Sequence, residues 1–393
     1  MKLTLRQQIT QFAHVLQDGL FPTLEEELGE LSRSAKRLVA TLEMIPLARF
    51  VPSARGWIGR PSKDRLAIAS AFVAKVVYGF PTTRQMLEAL QRDDQLRRIC
   101  GWRWAWQVPH EATFSRAFEE FAHMELPQFV HEALIRETQQ GRLIGHVARD
   151  STAIEAREHF PESAPKATGK AQRPAPPTTP KKRGPKRGRR GPHQRWKGGK
   201  PRPALPVDTR LARQRTMSLA EMLQDLPRNC DIGGKKNSQG HTEYWRGYKL
   251  HLDVADGQIP LSAVLTSASV HDSQVAIPLA TMSSQRVTYC YELMDSAYDA
   301  GHILEDSRSK GHVPIVDPAQ HGEQVRELDR AQAQRYQERT MIERVNARLK
   351  DEFGARFVRV RGAAKVMTHL MFGVLALTAD QILKLALGEG QIL

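Results

Sequence analysis

The apolar residues in the second half of the chain alternate between strand-like and helix-like patterns. Strand patterns end at Asp150 (LIGHVARD) and Asp295 (YCYELMD). Two more, Tyr248 to Asp256 and Ile259 to Ala268, are joined by a short turn at Gly257, which predicts a hairpin. Helix-like runs (SQVAIPLATM, GHILEDSRSKG) and a short strand (HVPIVDP) precede a final amphipathic helix. The pattern therefore predicts the element order βββαβαβα.

That final helix lies in the run RYQERTMIERVNARLK. At 3.6 residues per turn, its polar side chains share one face and its apolar side chains share the other. The polar face consists of Tyr336, Arg339, Glu343, Asn346 and Lys350, and the apolar face of Met341, Ile342, Val345 and Leu349. A carboxylate among cations is consistent with a metal ligand beside phosphate-binding groups. The alternative is a solvated face with ordinary i,i+4 ion pairs.

Two aspartates occupy strand ends, where α/β sheets place their sites. Asp150 is followed by Ser151 and Thr152, and Asp295 by SAYDA. Together with Glu343 they make three carboxylates, the oxygen ligands that Mg²⁺ and Mn²⁺ prefer. Two such ions about 3.5–4 Å apart can stabilise the attacking and leaving oxygens of a phosphoryl transfer. Taken singly, each aspartate is more typical of a turn or a cap.

These residues resemble one family, the DDE transposases of bacterial insertion sequences. The family signature Y-x2-R-x3-E-x6-K is matched by Tyr336, Arg339, Glu343 and Lys350. Asp150 in RDST and Asp295 in MDSAYDA match the family's first and second aspartates, and the stretch from Trp245 to Ser273 is similar to the core between them. The resemblance covers roughly residues 60 to 385.

The resemblance implies an α/β catalytic domain with a ribonuclease-H-like mixed sheet and flanking helices, preceded by an all-α N-terminal domain. It also implies Mg²⁺-dependent cleavage and joining of DNA at transposon ends, with Mn²⁺ as a substitute. Asp150, Asp295 and Glu343 would hold two ions. His271 and Asp272, in the family-like motif VHDS, would cap the following helix or take a direct part in catalysis.

The remaining polar residues of the final helix are expected to contact double-stranded DNA. Arg339 would hold a phosphate through its planar fork, and Lys350 would do so as a point charge. Tyr336 would donate a hydrogen bond to the backbone, and we count Asn346 with these contacts. The expected DNA is the terminal inverted repeat and the target, bound by a homodimer.

A basic segment interrupts the catalytic region. From Ser163 to Val207 there is no Asp or Glu but there are 14 Lys and Arg, in a chain whose net charge is +15. Its Pro and Gly content predicts disorder in isolation. We expect it to bind the DNA backbone by counterion release; the alternative is a solvated linker. The densest part contains the expected contacts Lys181, Lys182, Arg183, Lys186, Arg187, Arg189 and Arg190.

The first 140 residues have helical patterns throughout. Thr23 and Glu26 form a potential capping box, followed by a heptad-like apolar seam from Leu24 to Ile45, interpreted as a packing helix or a dimer contact. Short helices ending near residue 123 predict either a DNA-reading helix-turn-helix or a plain bundle. We expect the cluster GWRWAW to be core or a packing edge rather than a base-stacking platform.

The expected domains are therefore 1–140, all-helical and binding DNA ends; 141–160, the first strand; 161–240, the basic insertion; and 241–393, the rest of the catalytic domain.

Composition limits the other possibilities. Three widely spaced cysteines favour a reducing cytoplasm and argue against a zinc site. The N-terminal residues lack the apolar stretch of a signal peptide, and the run from Leu370 to Ala379 is half a membrane span, so we expect a buried helix and no membrane contact. We expect a cytoplasmic, nucleoid-associated enzyme. The rival interpretations are an inactive transposase acting as a DNA-binding regulator, and a nuclease of the same fold without strand transfer.

Overall fold

The computed structural model describes residues 5–51, 63–139, 141–158, 209–236, 241–317 and 327–387. The seven predicted DNA contacts of the basic segment, from Lys181 to Arg190, lie outside these residues. Their DNA-binding role stays a prediction.

The N-terminal part of the described chain is helical, as expected. Its α-helices are α1 (Leu5–His14), α2 (Phe21–Leu28), α3 (Arg33–Met44), α4 (Arg65–Val77), α5 (Thr83–Arg92), α6 (Asp94–Ile99), α7 (Glu111–His123) and α8 (Leu126–Gln139). The start of α4 follows from its sequence, because the Asp64 side chain accepts hydrogen bonds from the N–H groups of Leu66 and Ala67.

The predicted seam between residues 24 and 45 is not one helix. Gly29 has φ = 75° and ends α2, a backbone conformation that glycine adopts at little cost. Ser32 then caps α3 by accepting from the N–H of Ala35. The predicted capping box is also wrong: Thr23 lies inside α2, and its hydroxyl donates to the carbonyl of Gly19 at 2.8 Å.

The C-terminal part forms a mixed sheet with helices around it. Its elements are β1 (Leu143–Glu155), α9 (Arg210–Gln214), α10 (Leu219–Asp225), β2 (Asp231–Lys236), β3 (Thr242–Ala255), β4 (Ile259–Ser267), α11 (Ser273–Arg286), β5 (Thr288–Met294), α12 (Gly301–Ser309), β6 (Val313–Val316), α13 (Arg330–Tyr336), α14 (Thr340–Asp351) and α15 (Ala363–Leu387). The strand order is β2-β3-β1-β5-β6, and β4 also pairs with β3. Strands β1, β5 and β6 are parallel, whereas β3 is antiparallel to its neighbours.

This order contains the predicted βββαβαβα series with one added strand. The sequence interpretation assigns 161–240 to a basic insertion, but residues 209–236 form α9, α10 and β2. Strand β2 pairs with the first half of β3 and β4 with the second half. Gly247 stands where the two halves meet, with φ = 152°, and a Cβ there would lie 2.1 Å from the carbonyl oxygen of Ile154. Only glycine lets β1 and β3 approach so closely.

A buried ionic group fixes the central strand. The Nε and Nη2 atoms of Arg149 on β1 donate to the two carboxylate oxygens of Asp253 on β3, at 2.8 and 2.9 Å, and Nη2 lies 3.3 Å from Glu292 on β5. Ser283 donates to Asp253, and Tyr289 donates to Glu292. All three charged side chains are buried. One guanidinium therefore ties β1 to both of its neighbours.

Helix α15 joins the two parts of the described chain. It is long and apolar enough to cross a membrane by length and composition alone, but 94% of the relevant stretch is buried inside the protein. The predicted buried helix is thus confirmed. The ring of Phe372 on α15 lies 5.7 Å from that of Phe72 on α4 and 6.4 Å from that of Phe118 on α7. The N-terminal helices and the sheet consequently share one hydrophobic core.

Replacing Phe372 with alanine should cost about 3–5 kcal/mol in the free energy of unfolding, because it removes a buried ring from this joint. Peptides from α4 and from β4 should unfold at one denaturant concentration when followed by pulsed hydrogen exchange. Phe129→Ala is the control: its ring is exposed, and its cost should stay within about 0.5 kcal/mol. Two separate transitions in the wild type would contradict the shared core.

Arg149→Met should lower the free energy of unfolding, measured with denaturant, by about 3–5 kcal/mol, because it leaves two buried carboxylates without their cation. Arg149→Lys should cost less, since it keeps the charge and loses the fork. Arg142→Gln, an exposed arginine just before β1, is the matched control and should be nearly neutral. An equal loss of unfolding free energy in Arg149→Met and Arg142→Gln would show that the buried ionic group does not stabilise the fold.

Candidate active site

Two neighbouring strands bring Asp150 and Asp295 to the same level of the sheet. The parallel ladder between β1 and β5 ends with the pair Arg149 and Met294. Asp150 and Asp295 are the next residues on the two strands. Strand β1 continues to Glu155 by pairing with β3, so Asp150 lies within its strand rather than at its end. The end of β5 is what leaves the Asp150 carboxylate accessible.

Side chains alternate across a strand, which separates Asp150 from the buried arginine beside it. Arg149 faces the interior, and Asp150 faces the opposite side, where 13% of its side chain is exposed. Asp295 is 33% exposed, and its carboxylate accepts from the N–H of Ala297 at 2.9 Å. This bond fixes the carboxylate at the start of a short 3₁₀ turn.

One guanidinium lies among the three predicted catalytic carboxylates. Nη2 of Arg339 is 3.8 Å from Asp150 Oδ2 and 3.9 Å from Asp295 Oδ2, and Nη1 is 2.9 Å from Glu343 Oε1. The structure thus brings the carboxylates predicted from two strands and a helix around a single cation. The predicted continuous helix is interrupted, however. Arg339 ends a 3₁₀ turn between α13 and α14, and nothing in the local sequence explains that turn.

The carboxylates carry more negative charge than Arg339 can balance. Burial raises the pKa of Asp150 to about 6, against the opposing effect of Arg339. Burial also raises the pKa of Asp295. Glu343 is 59% exposed, so its carboxylate has room to move. The raised pKa values mean that the burial penalty on the ionised carboxylates exceeds the stabilisation that Arg339 provides.

The three carboxylates offer the oxygen ligands and the negative charge that a hard divalent cation prefers. Within the described residues, no three Asp, Glu, His or Cys side chains are close enough to hold an ion together. Arg339 lies between these three instead. A cation that replaced this guanidinium would find two partly buried carboxylates and a third that can approach from solvent.

The other residues of the predicted polar face have different positions. Tyr336 is half-buried, and burial raises its pKa to about 12. Asn346 is buried, and its Oδ1 has no hydrogen-bond partner among the described residues, so its predicted place on an exposed face is wrong. It lies one turn from Ile342 and Leu349, and the packing of that apolar side encloses it. Lys350 lies two turns beyond Glu343, and its pKa is lowered by burial and by Arg356.

Asp272, expected from the VHDS motif to cap the following helix or to take a direct part in catalysis, lies near the carboxylates. Asp272 accepts from Nζ of Lys249 at 2.9 Å and from the Ser151 side chain, and its charge contributes to the raised pKa of Asp295. It begins α11 without a side-chain cap; the ring of His271 accepts from the Ser273 N–H instead. The VHDS motif was the available signal.

Two further groups complete the surroundings. The hydroxyl of Tyr298 is buried without a hydrogen-bond partner in the described chain, and its pKa is raised by burial and by the nearby aspartates. Lys235 on β2 acts electrostatically on Asp150, Asp295 and Lys350. No sequence pattern indicated Lys235, because β2 itself was not predicted.

Comparison with known proteins supplies the classification. The family "Transposase DDE domain" matches residues 142–379, and "Transposase domain (DUF772)" matches residues 26–120. No curated protein and no solved structure matches the chain. The first match spans more than half of the sequence and includes all three carboxylates. The mixed sheet of this chain, with its flanking helices, fits a ribonuclease-H-like domain. The chain therefore belongs to the DDE transposase domain family.

Proposed function

We propose that this chain cleaves and joins DNA at transposon ends, with Asp150, Asp295 and Glu343 as its catalytic residues, and that it belongs to the Y-R-E-K group of the family. The observation that carries the proposal is the convergence of the three carboxylates on Arg339. Three carboxylates around one guanidinium leave negative charge that additional cations could balance.

Asp150, Asp295 and Glu343 would hold Mg²⁺ or Mn²⁺. Bound divalent ions supply an activated oxygen nucleophile and stabilise the leaving oxygen in phosphoryl transfer. The chain's own groups bind and orient the DNA. Arg339, released from the carboxylates, would bind a phosphate by its fork. Lys350 would bind the backbone further along α14, and Tyr336 would donate to a phosphate oxygen.

The partners follow from this chemistry. We propose that the chain acts as a homodimer on double-stranded DNA in the cytoplasm, with transposon terminal repeats and target as substrates. The basic segment remains a proposed backbone contact, and Asn346 is not retained as a DNA contact.

Asp150→Asn, Asp295→Asn and Glu343→Gln should each lower cleavage of transposon-end DNA by at least about a thousandfold, because each removes a ligand charge and preserves side-chain volume. Binding to the same DNA should change little, as measured by a gel-shift assay without divalent ions. Asp299→Asn, just beyond the 3₁₀ turn, is the matched control and should cleave normally.

The assay also separates the rival functions. Metal-dependent nicking by the wild type excludes a purely DNA-binding regulator. Joining of pre-cut ends to a target plasmid excludes a nuclease without strand transfer. Wild-type cleavage by any one of the three variants would remove that residue from the catalytic set.

Arg339→Gln should raise the affinity for Mn²⁺ by roughly tenfold in the absence of DNA, because it removes the cation that competes for the three carboxylates. Electron paramagnetic resonance of free Mn²⁺ measures this affinity directly. Arg344 lies on α14, directly after the turn that holds Arg339, and is exposed, so Arg344→Gln should have little effect. Unchanged or weaker Mn²⁺ binding by Arg339→Gln would show that this guanidinium does not occupy the ion site.

A further inference from the structure

Lys75 is a charged residue in an otherwise apolar buried helix. Every residue of α4 from Ala67 to Val77 except Lys75 is buried. Burial lowers the pKa of Lys75 to about 8, and no charged partner offsets this. No carboxylate of the described chain forms an ion pair with it. A half-buried ammonium without a counter-ion is costly unless it has a ligand.

Two adjoining cavities open on this ammonium. They have volumes of about 170 and 430 Å³, and both are lined by Lys75, Val76 and His369. His369 does not neutralise the positive charge of Lys75. Its pKa is lowered to about 4 by burial and by Lys75, and its Nε2 lies 3.0 Å from the carbonyl of Gly354.

The rest of the cavity walls are strongly basic. Six cationic side chains join Lys75, namely Lys350, Arg356, Arg157, Arg359, Arg361 and Lys365, of which Lys365 pairs with Glu119. Asp351 pairs with Arg356, and Glu352 pairs with Arg348 outside the cavities, so the acidic lining is already neutralised. Among the described residues, Lys350, Arg157, Arg359 and Arg361 have no ion-pair partner within 4.0 Å. We call these two cavities and their cationic walls the Lys75 cleft.

The cleft begins close to the proposed catalytic carboxylates. Lys350 follows Glu343 by seven residues of helix, which is about 10 Å. Strand β1 ends at Glu155, which is five strand residues or about 17 Å from Asp150. Arg157 follows two residues later. At about 3.4 Å per nucleotide step along one strand, these distances correspond to roughly three to five steps. Two cationic residues of the cleft, Lys350 and Arg157, are therefore only a few nucleotide steps along the chain from the carboxylates.

We propose that the Lys75 cleft binds the phosphodiester backbone of the DNA that flanks the scissile bond, with Lys75 contacting a phosphate directly. The proposal rests on the proposed function, since it places this DNA relative to Asp150 and Glu343. Unpaired arginines and lysines in a row match a chain of phosphates, and a partly desolvated ammonium interacts strongly with one of them. The contact orients the strand and carries no base specificity.

Chemical protection tests the contact in the full-length protein. Lysines are acetylated with acetic anhydride at pH 8 in EDTA, and modification is counted by mass spectrometry. A 40-base-pair duplex should reduce acetylation of Lys75 by at least about fivefold, whereas that of Lys310, directly after α12, should not change. Sodium phosphate at the same phosphate concentration should not protect Lys75.

Protection by phosphate alone would reduce the cleft to a free-anion site. Protection by polyglutamate equal to that by DNA would assign it to an acidic peptide. Absence of protection by DNA would overturn the proposal.

Substitution gives an independent measurement. Lys75→Met keeps the length of the side chain and removes the buried charge, so the fold should be retained or stabilised. Its affinity for duplex DNA in EDTA should fall roughly tenfold, as expected for one charge-assisted contact. The slope of log K against log salt should fall by about 0.9.

The matched control is Lys310→Met, directly after α12, a helix that packs on α11 and β6. It should leave both values unchanged. An unaltered slope for a folded Lys75→Met protein would contradict the proposal. Metal-dependent cleavage by the wild type is measured separately, so a failure of the proposed function and a failure of this site give different results.

Discussion

The contact of Arg149 with two buried carboxylates is the constraint on which the catalytic geometry depends. Three buried charges are tolerated only while all of them remain paired, and the pairing requires β1 to lie between β3 and β5 in one register. A slip of one residue would place Asp150 in the interior and Arg149 at the surface. The same contact thus fixes the depth, the direction and the neighbours of Asp150.

The proposed active centre and its surroundings have opposite charge requirements. Asp150, Asp295 and Glu343 concentrate negative charge where divalent ions would bind, and Arg339 only partly offsets it. Lys235, Lys350 and the Lys75 cleft concentrate positive charge further along the same side. An anionic polymer is attracted along the basic part and repelled by the acidic part until cations enter there. In the proposed function, metal loading and DNA placement would therefore be electrostatically coupled.

Much of the catalytic fold could be predicted because its signals are local. The hairpin of β3 and β4 and the apolar face of α14 have clear periodicity, and the aspartates within β1 and directly after β5 stand in recognisable contexts. Strand β2 could not be predicted, since DIGGKK has neither alternation nor β-branched residues apart from Ile232 and depends on pairing with β3. Asn346 was misplaced because angular position on a helix does not tell which neighbours cover it. The position of Arg339 among the carboxylates depends on contacts between distant segments, which no local pattern contains.

The packing of α15 against the N-terminal helices has a consequence for biosynthesis. Helices α4 and α7 are translated early, yet part of the core that covers them comes from Phe372 and its neighbours, which leave the ribosome roughly 250 to 300 residues later. At about 5–20 residues per second, the N-terminal helices wait for tens of seconds with apolar surface uncovered. Productive folding thus requires α15. A chain interrupted before α15 would expose the apolar surface of α4 and α7 that Phe372 covers, and the proposed active site would lack this support.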